Sequence, residues 1–468
     1  MSRILPILLP VLSAAILCFG IGVMVGEYQL PPYRTVANGA KTIYYSIKAL
    51  TAPPYYGQFQ GVEPGIAPAD AAAARFTPVA DPAAYPGHIL INGGLNEYLD
   101  LCPGDGCVGV EIDRTGKVVH AYPYRPDAIH AADMTHGSLY REAVPHDPRL
   151  SFRPLGLQRY DNGDLLITFQ SVGDMFPFAA GVARIDPDGN PVWARFDYSH
   201  HWATLLPDGR ALVPDLAVTD GNWQVPIGPR GKIETLQCDT GRPQVDGVHI
   251  IGPDGTVERR IDVAAALLDS PYSALLAETT DPCDPLHINY VDVLDDTAPG
   301  GALTPGYLVI SLRNLSAIAI LDPATDRITR VVRGNFVQQH SVHHLRGAKV
   351  VLFDNWGGDT EVGRNSRLME VDLETGAERR IFPQPGTEQD KEELFSDRGS
   401  YINLSPDHSR AFVSYSGEGT GFEVDLETGA VILRYDSLHD LSGRVGDGAP
   451  EKTNAARASL YGMLYIPG

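Results

Sequence analysis

From His88 onward, short apolar runs alternate with turns rich in Asp, Asn and Gly, a pattern typical of antiparallel strands. One hairpin motif, in which an apolar residue and Asp lead through a short turn into a second strand, recurs along the chain. Its six copies span residues 112–118, 185–192, 251–257, 321–328, 371–377 and 424–431. A second hairpin type precedes most of them, as at Tyr160–Leu166 and Leu206–Leu212. Two hairpins give four strands per unit, so the pattern predicts an all-β fold, a six-bladed β-propeller over residues 88–468.

A stack of β-sandwich domains is the competing architecture for so many short strands. Repetition of one hairpin pair favours the propeller, whose blades bury their faces against neighbouring blades. The apolar segment Leu460–Ile466 at the C-terminus is expected to supply a strand that closes the ring.

The segment before residue 88 has a different pattern. Ile4–Val25 is an uncharged apolar run of 22 residues, long enough to cross a hydrocarbon core of about 30 Å. Because no small-residue cleavage motif follows the run, residues 1–26 are predicted to be an uncleaved N-terminal transmembrane helix rather than a signal peptide. Residues 27–87 are predicted to form a juxtamembrane helix and a Pro/Ala-rich spacer. Arg3 favours a cytoplasmic N-terminus, which predicts a single-pass inner-membrane protein with its propeller in the periplasm.

Acidic residues outnumber basic ones by 58 to 37, which gives a formal net charge of -21. This charge argues against nucleic-acid binding, which needs a basic field to displace counterions from phosphates. It also argues against docking on an anionic lipid surface through basic patches. Membrane association is therefore expected only through the N-terminal helix.

Four cysteines lie in the part of the chain predicted to be exported. Cys102 and Cys107 bracket a Pro-Gly-Asp-Gly turn, and Cys238 and Cys283 remain for each other. An even set in an oxidising compartment favours two disulfides, although the sequence leaves their connectivity open. Zinc binding is the alternative, but the C-x4-C spacing lacks the second CxxC pair of a typical site, and no metal is expected.

Three predicted blades begin with a histidine where the innermost strand meets the central tunnel: His201, His287 and His340. One such histidine is usually a core residue, whereas three in equivalent positions indicate a functional site. Arg313 is predicted to lie in the next strand of the blade that His287 opens, between two apolar runs, where a buried arginine needs a partner or a function. This cluster suits a small anion such as sulfate, phosphate or carboxylate, and neutral imidazole can also act as a nucleophile. Metal binding is the main alternative for three imidazoles.

At these residues the sequence resembles the bacterial arylsulfate sulfotransferases, which are six-bladed periplasmic propellers. Gln339-His340 and the later Phe353-Asp354-Asn355 resemble the segment that contains the family's catalytic histidine. The other similar segments, within a resemblance from about Gly181 to Ser437, are His201–Gly209, His287-Ile288-Asn289, Ser311-Leu312-Arg313, Ser366-Arg367 and Gly399–Leu404.

The resemblance implies a two-step sulfuryl transfer from an aryl sulfate to a phenolic acceptor, without a metal, nucleotide or other cofactor. It assigns the nucleophile to His340, which would form a sulfohistidine. His201, His287 and Arg313 would bind the sulfuryl oxygens, and one of the histidines would act as general acid and then base. The residues implied in substrate binding are Asn289, Gln339, Asn355, Arg367 and Tyr401.

Three features depart from the family pattern. The family's disulfide near the catalytic histidine has no counterpart, because Cys238 and Cys283 lie elsewhere. The tryptophan expected before the second histidine is absent, and Asp284-Pro285-Leu286 stands there instead. The predicted anchor also differs from family members that are soluble after export. These departures leave a second hypothesis open, a non-catalytic propeller that binds a ligand or protein partners, or pairs as a homodimer, at the membrane. A metal-dependent propeller hydrolase is the third.

Overall fold

The computed structural model describes eleven stretches of the chain, all within one compact unit that comprises residues 55–139 and 147–468. The described stretches are 76–81, 84–93, 101–102, 105–135, 152–171, 179–227, 232–296, 301–357, 365–440, 455–457 and 459–467. The predicted anchor at 1–26 and most of the predicted segment 27–87 lie outside them. Across these stretches, no helix combines the length and apolar character needed to cross a bilayer.

The recurring Asp turns form as the sequence pattern requires. In the first copy, the Asp113 side chain accepts hydrogen bonds from the backbone NH groups of Thr115 at 2.8 Å and Lys117 at 3.0 Å. Gly116 follows with a φ of 84°, in the left-handed region that glycine adopts without steric cost. Asp186 makes the same pair of contacts in the second copy. Each turn therefore reverses the chain with its own side chain as the hydrogen-bond acceptor.

Strands are numbered in chain order within the described residues. The first group is β1 (Phe76–Pro78), β2 (His88–Asn92), β3 (Cys107–Ile112), β4 (Val118–Pro123), β5 (Phe152–Arg159), β6 (Leu165–Ser171), β7 (Ala179–Ile185), β8 (Pro191–Arg195), β9 (Thr204–Leu205), β10 (Ala211–Val218), β11 (Trp223–Ile227), β12 (Lys232–Leu236), β13 (Gln244–Ile251) and β14 (Val257–Asp262). The second group is β15 (Ile288–Val293), β16 (Leu308–Leu312), β17 (Ala317–Asp322), β18 (Arg327–Arg333), β19 (His340–Arg346), β20 (Lys349–Asp354), β21 (Arg367–Asp372), β22 (Glu378–Phe382), β23 (Tyr401–Leu404), β24 (Arg410–Tyr415), β25 (Thr420–Asp425), β26 (Val431–Asp436), β27 (Leu438–Asp440), β28 (Ala455–Arg457) and β29 (Gly462–Ile466). The helices are α1 (Pro126–Ala131), α2 (Val263–Leu268) and α3 (Glu388–Lys391), with 3₁₀ turns η1 (Ser273–Glu278) and η2 (Arg313–Leu315).

Six antiparallel sheets confirm the six-bladed propeller. In strand order, blades 1 to 6 are β29-β2-β3-β4, β5-β6-β7-β8, β9-β10-β13-β14, β15-β16-β17-β18, β19-β20-β21-β22 and β23-β24-β25-β26-β1. The hairpin β11–β12 is an insertion between the second and third strands of blade 3, and β27 pairs with β28. All six predicted outer hairpins form the outer strand pair of a blade.

Two terminal strands complete the ring. β29 pairs with β2 and becomes the innermost strand of blade 1, as expected for the C-terminal segment. β1 pairs with β26 and adds a fifth strand to the outside of blade 6. Because β1 falls within 27–87, the end of the predicted spacer contributes a strand to the propeller.

The apolar core lies between neighbouring blades. Val248 of blade 3 packs in one cluster with Val291 and Ile310 of blade 4. Val309 of blade 4 and Val342 of blade 5 belong to a separate cluster at the next interface. Each blade is therefore stabilised mainly by packing against its neighbours. The ends of the inner strands at the central tunnel are not needed for this packing and can hold polar site residues.

Both expected disulfides are present. Cys102, between β2 and β3 of blade 1, bonds to Cys107, the first residue of β3. Cys238, after the inserted hairpin, bonds to Cys283, four residues before His287. The second bridge therefore anchors the segment that leads into blade 4.

Candidate active site

The histidines at the starts of blades 3, 4 and 5 meet at one place. His201, His287 and His340 each offer one ring nitrogen, and these three atoms lie within 4.8 Å of one another. The ring centroids of His201 and His287 are 5.0 Å apart, and those of His201 and His340 are 6.0 Å apart. Three separate blades therefore contribute one imidazole each to a single cluster.

The backbone at two of these histidines is strained. His201 has a φ of 53° and His287 a φ of 50°, in the left-handed region that side chains other than glycine rarely adopt. Each such residue costs about 1–3 kcal/mol and persists only when its surroundings hold it. For His201, blade 2 supplies part of that support, because the Thr168 hydroxyl donates to the His201 carbonyl. Gly156 packs so closely there that a Cβ would lie 2.7 Å from the same carbonyl oxygen.

The His340 ring is held in one tautomer by its neighbour. Its Nδ1 lies 2.7 Å from the amide oxygen of Asn355. The Asn355 amide group donates to the carbonyls of Ser396 at 2.9 Å and Gly399 at 3.0 Å, which orients its oxygen toward the ring. Nδ1 of His340 therefore carries the proton, and Nε2 keeps its lone pair.

The other two imidazoles have different partners. His287 donates from Nδ1 to the carboxylate of Asp284, a buried residue three positions earlier. Nδ1 of His201 lies 2.7 Å from Nδ1 of His200, whose side chain is fully buried. Among the three partners, only Asp284 is a carboxylic acid.

Arg313 lies in η2, the turn directly after β16, and not within a strand as the sequence pattern suggested. Its guanidinium donates to Asn314 Oδ1 and to Gln338 Oε1, both at 2.8 Å, while its buried Nε has no partner. The backbone NH of Arg313 also reaches the carbonyl of His287 at 3.4 Å. One hydrogen-bond donor of the guanidinium is thus available in a protein interior, where donors are normally paired.

Burial sets the charge of the cluster. Burial lowers the pKa of His340 well below its usual range, and the nearby Arg313 charge lowers it further. Burial likewise lowers the pKa of His201 well below its usual range, with smaller contributions from His200 and His287. Burial raises the pKa of Asp284, but His287, His200 and Arg313 together outweigh this effect and leave that pKa below its usual value. At neutral pH the site therefore contains neutral His201 and His340 beside the Asp284 carboxylate and the Arg313 cation.

Asn289 and Gln339, implied in substrate binding, connect the strands behind His340. Asn289 Nδ2 donates to the Gln339 carbonyl at 2.8 Å. Gln339 Nε2 donates to Ser311 Oγ at 3.1 Å and to the Ala317 carbonyl at 2.9 Å. Both amide oxygens, Asn289 Oδ1 and Gln339 Oε1, are buried without a hydrogen-bond partner. The structure thus ties Asn289 to the residue before His340 and the Gln339 side chain to blade 4, and their contact with substrate remains a prediction.

Arg367 and Tyr401 occupy other environments. Arg367 pairs with the buried carboxylate of Asp354 at 2.6 Å and donates to the Asn335 carbonyl. Its guanidinium is therefore already bound within the protein. The Tyr401 ring stacks on Trp202 at a centroid distance of 5.2 Å, and its hydroxyl accepts from Gln158 Nε2 at 2.5 Å. Tyr401 therefore packs beside the residue that follows His201.

The family model for arylsulfotransferase (ASST) matches residues 156–437, more than half of the chain. The chain belongs to the arylsulfotransferase (ASST) family. The matched range includes all three clustered histidines and Arg313. No curated protein matches the sequence.

The chain is also similar to several solved structures, at low sequence identity. A protein of unknown function from Bacteroides caccae has 13% identity and a TM-score of 0.45, covering 82% of this chain and 99% of that one. The periplasmic gluconolactonase PpgL of Pseudomonas aeruginosa has 13% identity and a TM-score of 0.36, covering 82% and 99%. Virginiamycin B lyase of Staphylococcus aureus has 12% identity and a TM-score of 0.35, covering 61% and 85%. These TM-scores support no argument about function.

Within this arylsulfotransferase-family chain, two groups of described residues have donor atoms close enough to share a metal ion. One is the histidine cluster, where the Arg313 charge acts on both His201 and His340 and favours an anion over a cation. The other is His344 with Asp295 and Asp296. Both of these aspartates are exposed, and His344 Nε2 already lies 2.9 Å from the Gly347 carbonyl. We assign a metal to neither group.

Sequence reasoning missed the residues that hold the cluster in place. Asp284 appeared only as part of the segment that replaces an expected tryptophan, yet it binds His287 directly. His200 directly precedes His201, and Gln338 lies two residues before His340; both contact the site through their side chains. The adjacency of His200 and the three-residue spacing from Asp284 to His287 were visible signals. Neither signal predicts a contact until the backbone conformation at the start of the strands is known.

Proposed function

We propose that this protein is an arylsulfotransferase that moves a sulfuryl group from an aryl sulfate to a phenol through a sulfohistidine on His340. Family membership supports the general activity. The observation that carries the mechanism is the His340–Asn355 hydrogen bond, which leaves Nε2 unprotonated within a cluster of imidazoles. A buried neutral imidazole next to a cation is a suitable nucleophile for an anionic, electrophilic group.

In the first step, His340 Nε2 forms a bond to the sulfur of the aryl sulfate. The bond from sulfur to the bridging oxygen breaks, and its electron pair leaves with the phenolate. In the second step, the oxygen of an acceptor phenol attacks the same sulfur and the N–S bond breaks, which regenerates His340. Arg313, His201 and His287 would stabilise the sulfuryl oxygens and the developing charge on the leaving oxygen. The scheme uses no metal and no nucleotide.

The proposal also includes the setting predicted from sequence, an inner-membrane anchor with the propeller in the periplasm. The two disulfides are compatible with an oxidising compartment. If the anchor is retained, the protein will fractionate with membranes and keep an intact N-terminus by mass spectrometry. A soluble product that begins after Gly26 would contradict this part of the proposal.

The central test uses full-length protein purified in mild detergent. Wild type should release p-nitrophenol from p-nitrophenyl sulfate faster when an acceptor phenol is present, and His340→Ala should release none. His344→Gln is the matched control, because His344 lies on the same strand β19 and binds the Gly347 carbonyl outside the cluster. Mass spectrometry of the wild type quenched without acceptor should find a sulfuryl adduct on His340.

Folded wild type that releases no phenol from several donors would contradict the enzyme and favour the alternative, a propeller that binds a ligand or protein partners. Phenol release that survives in His340→Ala would retain an enzyme but move the nucleophile to another residue.

A further inference from the structure

The three clustered imidazoles differ in the group that each one contacts through Nδ1. His340 contacts a neutral amide, Asn355, and His201 contacts a neutral imidazole, His200. Of these three described Nδ1 contacts, the one to a carboxylate is that of His287 with Asp284. Because a buried anion stabilises an adjacent imidazolium and a neutral acceptor does so far less, the three histidines are not equivalent as proton carriers.

Asp284 is firmly held. Its side chain is almost entirely buried, and its backbone carbonyl accepts from Asn314 Nδ2 at 2.5 Å. Asn314 also accepts from Arg313, so the aspartate and the arginine share one support. The preceding residue, Cys283, is fixed by its disulfide to Cys238. The carboxylate therefore has little freedom to move away from His287.

A second carboxyl group lies near the first. Asp246 is fully buried, and its Oδ1 accepts from the backbone NH of Ile288 at 3.2 Å. Burial raises the pKa of Asp246 well above its usual range, and the Asp284 charge raises it further. The pKa values of the two carboxyl groups are therefore shifted in opposite directions, and Asp284, whose pKa lies below its usual value, is the one that faces His287. The other charged or titratable groups that act on Asp284 are His200 and Arg313, both of which favour its ionised form.

We propose that Asp284 is a positioning residue that makes His287 the general acid and base of the transfer. The inference rests on the proposed function, because it assigns a proton path to that reaction. As the S–O bond breaks, the leaving oxygen takes its proton from Nε2 of a His287 imidazolium. The Nδ1–H group of His287 stays hydrogen-bonded to the Asp284 carboxylate throughout. The acceptor phenol then returns a proton to Nε2 as its oxygen bonds to sulfur, so protons balance over the two steps. A buried aspartate supports histidine in the same way in Ser-His-Asp triads.

The experiment compares two donors whose leaving groups need protonation to different degrees. p-Nitrophenolate leaves readily without a proton, whereas the phenolate of phenyl sulfate is a much stronger base, with an ordinary pKa of about 10. In Asp284→Asn, turnover of phenyl sulfate should fall by about 10²- to 10⁴-fold, the usual contribution of general acid catalysis. Turnover of p-nitrophenyl sulfate should fall by no more than about tenfold.

Asp215→Asn is the matched control. Asp215 is another buried aspartate beside an imidazole, 3.5 Å from His249 Nε2, and it is paired with Arg260 at 2.6 Å. Because no described hydrogen bond or ion pair joins Asp215 to His287, the ratio of the two turnover rates should stay at the wild-type value in this variant. Any general loss of stability from removing a buried carboxylate should affect both donors equally.

A loss of equal size on both donors in Asp284→Asn would overturn the inference, because a purely structural role predicts that result. Asp284→Glu retains the carboxylate and should recover part of the phenyl sulfate turnover. Asp284→Glu also tests the inference if Asp284→Asn does not fold. An equal loss of turnover on both donors in Asp284→Glu would contradict the inference too. If wild type turns over neither donor, the proposed function fails and the inference fails with it; wild-type turnover separates the two cases.

Discussion

Two buried carboxylates in this propeller are treated in opposite ways. Glu423 of blade 6 is completely buried, and its two oxygens accept from the guanidinium groups of Arg114 and Arg410. Asp284, at the entrance to blade 4, is almost as buried; His287 contacts one of its oxygens, and the other has no hydrogen-bond partner among the described residues. One negative charge is compensated by two permanent cations, and the other by a group that can gain or lose a proton.

The location of each carboxylate explains the difference. Arg114 follows β3 of blade 1, so the Glu423 network bridges the seam where the last blade meets the first. Arg410 also packs over the ring of Tyr465 in the closing strand β29, at 5.6 Å from the centroid. Charges at this seam serve best if they never change. At the histidine cluster, a charge that can be shared with a substrate is the useful one.

Several buried polar atoms near the cluster lack a hydrogen-bond partner, as does Arg114 Nε at the seam. Arg313 Nε, Asp284 Oδ1, Asn289 Oδ1 and Gln339 Oε1 are all buried and unpartnered within the described part of the chain. Each such atom costs stability in the free protein, roughly 1–3 kcal/mol. Arg313 Nε is also the kind of group that an anionic substrate can satisfy, so the cost becomes binding energy when the substrate arrives.

Glu423→Gln tests the seam and should give the larger effect on stability. Removing one partner from a buried ion-pair network leaves uncompensated charge, here on Arg114 and Arg410, and typically costs about 3–5 kcal/mol. We expect a corresponding fall in the free energy of unfolding, measured by denaturant titration of the full-length protein. Sulfuryl transfer per folded molecule should remain unchanged, because no described contact links Glu423 to the cluster.

The comparison variant is Glu278→Gln, which removes a carboxylate paired with Arg333 at 2.6 Å. Both side chains there are about half exposed, at 56% and 47%. Water screens such pairs, so the expected loss is below about 1 kcal/mol. Equal losses in the two variants would show that the seam network is not special. A loss of activity in folded Glu423→Gln would show that seam and site are coupled.

Much of the fold could be predicted because its signals are local. Each outer hairpin depends on an Asp that caps its own turn, and such a motif is visible in a single sequence. The number of these turns was enough to predict the number of blades. Closure by β29 was also predictable, since one apolar strand remained after the last repeat.

The site was only partly predictable, because its other determinants depend on the tertiary structure. Histidines at strand starts could be found from the repeat, and the fold brings them together. Arg313 was predicted to lie in a strand because apolar runs flank it. The chain turns there instead, and the buried Nε of Arg313 has no hydrogen-bond partner among the described residues. The pairing of Arg367 with Asp354 also has no local signal, since a salt bridge across β20 and β21 depends on register.

The smallest expected effect is the change in the reaction rate of His340 with pH. His340 contacts the neutral amide of Asn355, whereas His287 contacts a carboxylate. Burial and Arg313 hold the pKa of His340 well below its usual range, so lowering the pH through that range does not protonate the nucleophile. With p-nitrophenyl sulfate, single-turnover release measured after an alkaline quench should change by less than about twofold between about pH 7 and pH 5.5. An ordinary histidine, with a pKa of about 6.5, would lose about tenfold over that interval, and such a loss would contradict the neutral, buried nucleophile.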